Sequence, residues 1–223
     1  MTKYYTLTPT FLKIMFPFVS LFLLSQTGLA NLSLSLSETA ELIKENQYRV
    51  GVAPQLLLEG GGGSNVGVFF DLPVEEEMNA RFIIGSGGGS GSVDFWTTAS
   101  VKWVPFPDYQ NQPAIGLRGA IIYARKAKEN IKENFYALQI TPIISKIVDT
   151  RWGKMNPYFG LPLTAIYNNT KNVMATQFII GSEWLEREDF QLGAELDLNL
   201  SNTNTALTLH ANFPFDANLG FRK

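Results

Sequence analysis

The stretch Phe190-Gln191-Leu192-Gly193-Ala194-Glu195-Leu196-Asp197-Leu198-Asn199-Leu200 alternates apolar and polar or small residues without a slip. After Ser201-Asn202-Thr203-Asn204 the alternation returns in Leu207, Leu209, Ala211, Phe213 and Phe215, set against Thr208, His210, Asn212 and Pro214. A period of two places successive side chains on opposite faces of a strand, so each run is a strand with one apolar and one polar face. Each run is about ten residues long, the length at which a tilted strand crosses a bilayer. The pair reads as the closing hairpin of a sheet that crosses a membrane.

Working outward, eight further runs share the pattern. Their apolar phases are marked by Tyr48, Val50 and Val52; Val66, Val68 and Phe70; Met78, Ala80 and Phe82; Ala99, Val101 and Trp103; Ile115, Leu117 and Ile121; Tyr136, Leu138 and Ile140; Phe159, Leu161 and Leu163; and Met174, Phe178 and Ile180. Between them the chain reads as loops at Gly60–Ser64, Gly85–Gly91 and Lys126–Glu133. The expected fold is all-β: a transmembrane antiparallel up-and-down β-barrel of about ten strands, with eight or twelve as the alternatives. A soluble barrel or sandwich also alternates, but its water-facing phase should be rich in Lys, Glu and Arg. Here that phase is largely small or uncharged, with Gly51, Gly67, Thr98, Ser100, Ala120, Thr164, Gly181 and Gly193, as suits a narrow lumen. The apolar phase holds two charges, Arg125 and Lys146, both near strand ends, where a long side chain reaches the headgroups. Tyr48, Trp103, Tyr123, Tyr167, Trp184 and Phe190 also fall toward run ends, as interfacial girdles require.

Composition narrows the function. The chain has 223 residues, 17% charged, with a formal net charge of -2 and no cysteine. That charge balance argues against non-specific nucleic-acid binding. The lack of cysteine removes disulfides, thiol catalysis, thiolate metal sites and lipid attachment at a lipoprotein cysteine. Residues 1–30 read as an export signal: Lys3 and Lys13, a short apolar core from Ile14 to Leu24, and Gly28-Leu29-Ala30 at the cleavage position. Residues 31–47 read as a periplasmic lead-in. Ser35 and Glu38 at capping-box spacing allow a short helix over Glu38–Asn46, the alternation of Leu32, Leu34 and Leu36 allows an extended start instead, and a helix plugging the barrel is the sharper alternative. Residues 48–223 form the barrel domain.

Signal, dyad repeat and a last strand ending in an aromatic together resemble the small outer-membrane β-barrels of Gram-negative bacteria. The resemblance covers about Tyr48–Phe221 and points to no individual member. It implies an outer-membrane location, contact with lipid and lipopolysaccharide, no cofactor and a monomer. It also implies that the last strand is read by the barrel-insertion machinery, through Leu207, Leu209, Ala211, Phe213 and Phe215. The chain runs on past Phe215 with Ala217, Leu219 and Phe221 in phase, so the signal could instead end at Phe221.

On the inward phase, Arg49, Asp71, Arg81, Lys102, Arg118 and Glu183 fall in the periplasmic half, with Glu195 near mid-strand and Asp197 beside it. The cations lie on the first, third, fourth and fifth strands and Glu183, Glu195 and Asp197 on the eighth and ninth, so two arcs of opposite charge should face each other. Paired, they close a narrow barrel of structural or surface role without enzymatic activity. Open, they make a charged constriction for small polar solutes. A membrane-embedded hydrolase would rest on His210, the one histidine, and would need a nucleophile and an orienting partner beside it. Lone among scattered carboxylates, His210 makes no metal-ligand pattern. The glycines of residues 85–91 lack the Lys-Ser/Thr pair and helix of a phosphate loop.

Overall fold

In the computed structural model, residues 37–59, 61–110, 112–128, 131–168, 172–185, 189–216 and 220–221 are described. The export signal expected over residues 1–30 lies outside them, as does the following segment up to residue 36.

Alternation becomes strand throughout. The elements are β1 Gln47–Leu57, β2 Gly63–Glu75, β3 Met78–Gly88, β4 Phe95–Phe106, β5 Ala114–Lys128, β6 Ile131–Ser145, β7 Val148–Thr150, β8 Gly153–Gly160, β9 Leu163–Asn168, β10 Asn172–Trp184, β11 Gln191–Ser201, β12 Ala206–Asp216 and β13 Gly220–Phe221. Neighbours in sequence pair antiparallel, and β12 returns to pair with β1 from Gln47↔Asp216 to Leu57↔Ala206, closing the sheet. β8 and β9 are one wall strand broken at Leu161-Pro162: both lie between β6 and β10. Pro162 and its neighbour across the gap, Pro142 of β6, have no N–H to give the ladder, which accounts for the break. The pairing is stitched there by Leu161 N–H to Pro142 O at 3.2 Å and Gln177 N–H to Pro162 O at 3.3 Å. With β7 and β13 as short additions, the wall has ten strands, the number read from the alternation.

The faces are inverted relative to a water-soluble protein. Ile84, Ile121, Leu138, Ile140 and Leu209 are each more than half exposed on the outside, while Arg81, Lys102, Glu183, Glu195 and His210 are among the most buried side chains. A continuous apolar exterior of this kind marks a lipid-facing surface, and the band is the transmembrane wall of the barrel. Rings gather toward its ends. Tyr48 stacks between Phe70 and Phe215 at centroid distances of 5.9 and 5.5 Å, Phe190 meets Phe213 at 5.5 Å, and Tyr123 meets Tyr136 at 5.4 Å. Lys146 lies at the end of β6 and is anchored to Asp108, with Gln110 O accepting from its ammonium at 2.6 Å.

Three loop expectations change, and so does the end of the last strand; β2 begins at Gly63, so Gly63 and Ser64 leave the loop read at Gly60–Ser64. Gly85–Gly88 is strand, paired with Gly67, Val66, Asn65 and Ser64 of β2, and the turn is displaced to Gly89, where φ is +102°. Within the charged segment read as a loop, Lys126–Lys128 and Ile131–Glu133 instead continue the β5–β6 ladder through Lys126↔Glu133 and Lys128↔Ile131. β12 ends at Asp216, and Phe221 pairs back onto Phe215 from β13, so Phe221 does not prolong the last strand.

Of the two readings of the lead-in, the short helix over Glu38–Asn46 is not formed. Ser37, Glu38, Thr39 and Ala40 are each at most 3% exposed and are held by residues of the barrel interior. Helix capping at Ser35/Glu38 spacing competes there with the buried cations of the wall, and the cations take Glu38.

Inside, the lumen is filled by a recurring joint. Gly51 faces Phe69, Gly85 faces Trp96, Gly181 faces Tyr158 and Gly193 faces His210, each pair directly opposed across neighbouring strands. A Cβ on each glycine would come within 2.1 to 2.3 Å of the ring. The missing side chain lets the ring lie flat along the neighbouring strand, covering backbone and filling a bore too narrow for two full residues.

Candidate functional site in the barrel lumen

Each strand contributes to the lumen at every second residue, so the charges arrive by register. Asp71 of β2 is directly opposite Arg81 of β3 and Arg49 of β1. Its carboxylate accepts Arg81 Nε–H at 2.6 Å and Nη2–H at 2.8 Å, the forked geometry that suits guanidinium, and lies 3.3 Å from Arg49 Nε. The Arg81 guanidinium carbon also stands 4.2 Å over the Phe69 ring. Lys102 of β4 and Arg118 of β5 are likewise opposed in register.

The N-terminal segment completes this basic arc. Glu38 lies 2.9 Å from Lys102 Nζ and 3.6 Å from Arg118 Nε. Lys102 also donates to Thr39 O at 2.8 Å and Glu41 O at 2.7 Å, so its three N–H donors are taken by one four-residue loop of chain. Arg81 Nη1–H donates to Ser37 O at 2.8 Å, and Ala40 N–H donates to Ser145 Oγ at 3.2 Å. Residues 37–41 are therefore a plug built around Lys102.

The acidic arc is served mainly by neutral donors. Glu195 of β11 accepts Ser37 N–H at 2.8 Å and Tyr158 O–H at 2.7 Å. Glu183 of β10 lies 3.2 Å from His210 Nε2 and accepts Asn212 Nδ2–H at 3.2 Å. Asp197 accepts Gln55 Nε2–H at 3.3 Å. The expected residues of both arcs do line one lumen. The plug, however, stands between them, binding the basic side through Glu38 and the acidic side through the next amide, Ser37.

Burial alone would raise the Glu38 carboxyl; the charges of Lys102, Arg81 and Arg118 outweigh it and hold the group well below the usual carboxylate range. A depressed folded value gives stabilisation that is complete above the ordinary carboxylate pKa and is lost as pH falls through the folded value. Hydrogen-exchange protection of the Ser37 and Ala40 amides, once corrected for intrinsic exchange rates, should thus be the same at pH 7 and pH 5 and fall only in stronger acid. Loss of protection by pH 5 would show that Glu38 is not the latch.

His210 is buried in the lumen with a carboxylate beside it. Its ring lies on Gly193, whose Cβ would be 2.1 Å from Nε2, and Nε2 faces Glu183. Among the described residues no group of three or more His, Cys, Asp and Glu could hold a metal ion. Beside the plug, a cavity of about 40 Å³ is bordered by Ser37, Arg81, Arg118, Phe69, Trp96 and Ile122 among others. Sequence reading missed Ser37, Phe69, Trp96 and Tyr158, and it took Glu38 for a helix-capping residue. A glycine and an aromatic facing each other on adjacent inward phases is the signal that reveals the three rings.

No protein-family model matches the chain, and no curated protein matches its sequence. Among solved structures it is similar to an outer-membrane channel from Pseudomonas putida F1, with 9% identity and a TM-score of 0.49 over 82% of this chain and all of that one. It is also similar to the β-domain of the Bordetella autotransporter BrkA, with 11% identity and a TM-score of 0.46 over 76% of this chain and 98% of that one.

Proposed function

We propose that this is a monomeric barrel of the outer membrane, exported by a cleaved signal, closed by its own N-terminal segment and serving a structural or surface role without enzymatic activity. The observation that carries the reading is the grip of Lys102 on Glu38, Thr39 and Glu41. A diffusion channel would leave its charged constriction to solute, whereas here the chain itself occupies it. The outer face of the last strand, with Leu209 53% and Phe213 39% exposed, supports Leu207, Leu209, Ala211, Phe213 and Phe215 as the segment met by the insertion machinery and then by lipid.

Planar-bilayer recording tests the closure. The folded mature chain should be silent. Lys102→Met, which removes the three contacts that Lys102 makes with the plug, should give discrete conductance steps, and Glu38→Gln a smaller increase. Steady conductance by the parent chain would favour the narrow-channel alternative and end the closed-barrel reading.

A further inference from the structure

The lumen carries more negative charge than its cations offset. Arg49, Arg81, Lys102 and Arg118 stand against Asp71, Glu183, Glu195 and Asp197 on the wall and Glu38 and Glu41 on the plug, four cations to six carboxylates. The Lys and Arg ion pairs among them go to Asp71 and Glu38. Glu41 and Glu183 repel each other, and Arg49, whose charge reaches both, has its near partner in Asp71 at 3.3 Å.

These two carboxylates meet at one corner of the lumen. Asn156 of β8 is directly opposite Glu183 of β10, and its Nδ2–H donates to Glu41 Oε2 at 3.3 Å. Across Gly193, which has no side chain to intervene, Glu183 Oε1 accepts Asn212 Nδ2–H at 3.2 Å. Three oxygens of this group have no hydrogen-bond donor among the described residues: Glu183 Oε2, Asn156 Oδ1 and Asn212 Oδ1. Each belongs to a side chain of a residue at most 1% exposed. Turning either amide over would not help, because its N–H end is already spent on a carboxylate. Buried acceptors without donors are costly. A cation satisfies several of them at once.

We propose that this corner is a calcium site, in which Glu41 of the plug and Glu183 of the wall supply carboxylate oxygens and Asn156 and Asn212 supply amide oxygens. Hard cations take such an all-oxygen set; calcium accepts irregular geometry, whereas magnesium demands a near-ideal octahedron. The donors are two carboxylates and two neutral amides, so the site differs from the His, Cys, Asp and Glu clusters that the described residues lack. A divalent ion would cancel the excess negative charge and tie the plug to the acidic arc, opposite the grip of Lys102 on the basic one. Glu41 is half-buried whereas residues 37–40 are buried, so the ion enters from the mouth where the chain leads in. The site requires the plug and is independent of conductance.

Calorimetric titration of the full mature chain, folded in neutral detergent, stripped of metal by chelation and desalted, with calcium chloride and separately with magnesium chloride tests this. Calcium should bind saturably at one site, with magnesium at least tenfold weaker. Glu41→Gln and Asn156→Leu, which each remove one donor at nearly constant volume, should each weaken calcium at least tenfold; heat-modifiable gel mobility identifies which variants are folded. Glu76→Gln, on the exposed acidic turn between β2 and β3, should bind calcium as the parent does. Absence of saturable calcium binding to the parent chain would overturn the site, as would equal binding of magnesium. Calcium binding unchanged in either folded variant, or lost in Glu76→Gln, would place the ion elsewhere and overturn it too.

Discussion

Asp71→Ala should destabilise the barrel by about 3–5 kcal/mol, the usual cost of stripping one partner from a buried ion pair. Asp71 is 1% exposed, and it is the shared counter-charge of Arg81 at 2.6 Å and Arg49 at 3.3 Å. Removing it leaves two guanidinium groups crowded on neighbouring strands, with Arg81 still enclosed against Phe69. Equilibrium unfolding by urea in lipid vesicles reads the loss directly. The second measurement separates charge from packing: Asp71→Ala combined with Arg81→Met should recover the larger part, because the double variant no longer buries the Arg81 charge. If Asp71→Ala unfolds at the parent midpoint, water in the lumen solvates these arginines and the ion pairs contribute little.

Gly181→Val is the other severe substitution. The Cβ of residue 181 would sit 2.3 Å from Tyr158 Cζ and 2.5 Å from its hydroxyl oxygen, so the ring must leave its place. Overpacking of this kind costs about 1–3 kcal/mol. Displacement also removes the 2.7 Å hydrogen bond from Tyr158 to Glu195, and a buried acceptor losing its donor adds about 1–3 kcal/mol. Folding yield into vesicles and the urea midpoint should both fall. Gly119→Val is the control: Gly119 faces outward, and a Cβ there meets nothing within 4 Å. It should fold as the parent does. Tyr158→Ala should relieve the steric part of the Gly181→Val defect, although it cannot restore the bond to Glu195. Equal behaviour of Gly181→Val and Gly119→Val would remove the ring-on-glycine joint as a structural element.

The wall was legible because lipid on one side and a narrow bore on the other impose a strict period of two, and the run from Phe190 to Leu200 shows it in the sequence. Strand number and the placement of Arg49, Asp71, Arg81, Lys102, Arg118, Glu183, Glu195 and Asp197 on one interior follow from that period. A plug from residues 31–47 was one alternative, as a helix, but the contacts that hold it were not legible. Glu38 sits where the alternation of Leu32, Leu34 and Leu36 ends, and its spacing from Ser35 imitates a helix cap. Its attraction to Lys102 and Arg118 exists only after β4 and β5 bring those cations together. Glycines mislead for a related reason. The run at residues 85–91 has loop composition, yet Gly85 is in a strand because Trp96 needs the space of its absent side chain. Ring and glycine belong to different strands, so the joint is visible only once register is known.

The plug and the seam of the barrel impose an order on assembly. The Ser37–Glu195 contact joins residues 158 apart in sequence, and the β1–β12 seam joins the chain's first strand to one of its last. Contacts so distant in sequence repay their loop entropy only after the intervening chain is in place. The hairpins from β2 to β10 can therefore form locally, while lumen filling and closure belong to the same late step. A chain halted before β11 and β12 would hold most of its lipid-facing surface and yet have neither a sealed edge nor a completed interior.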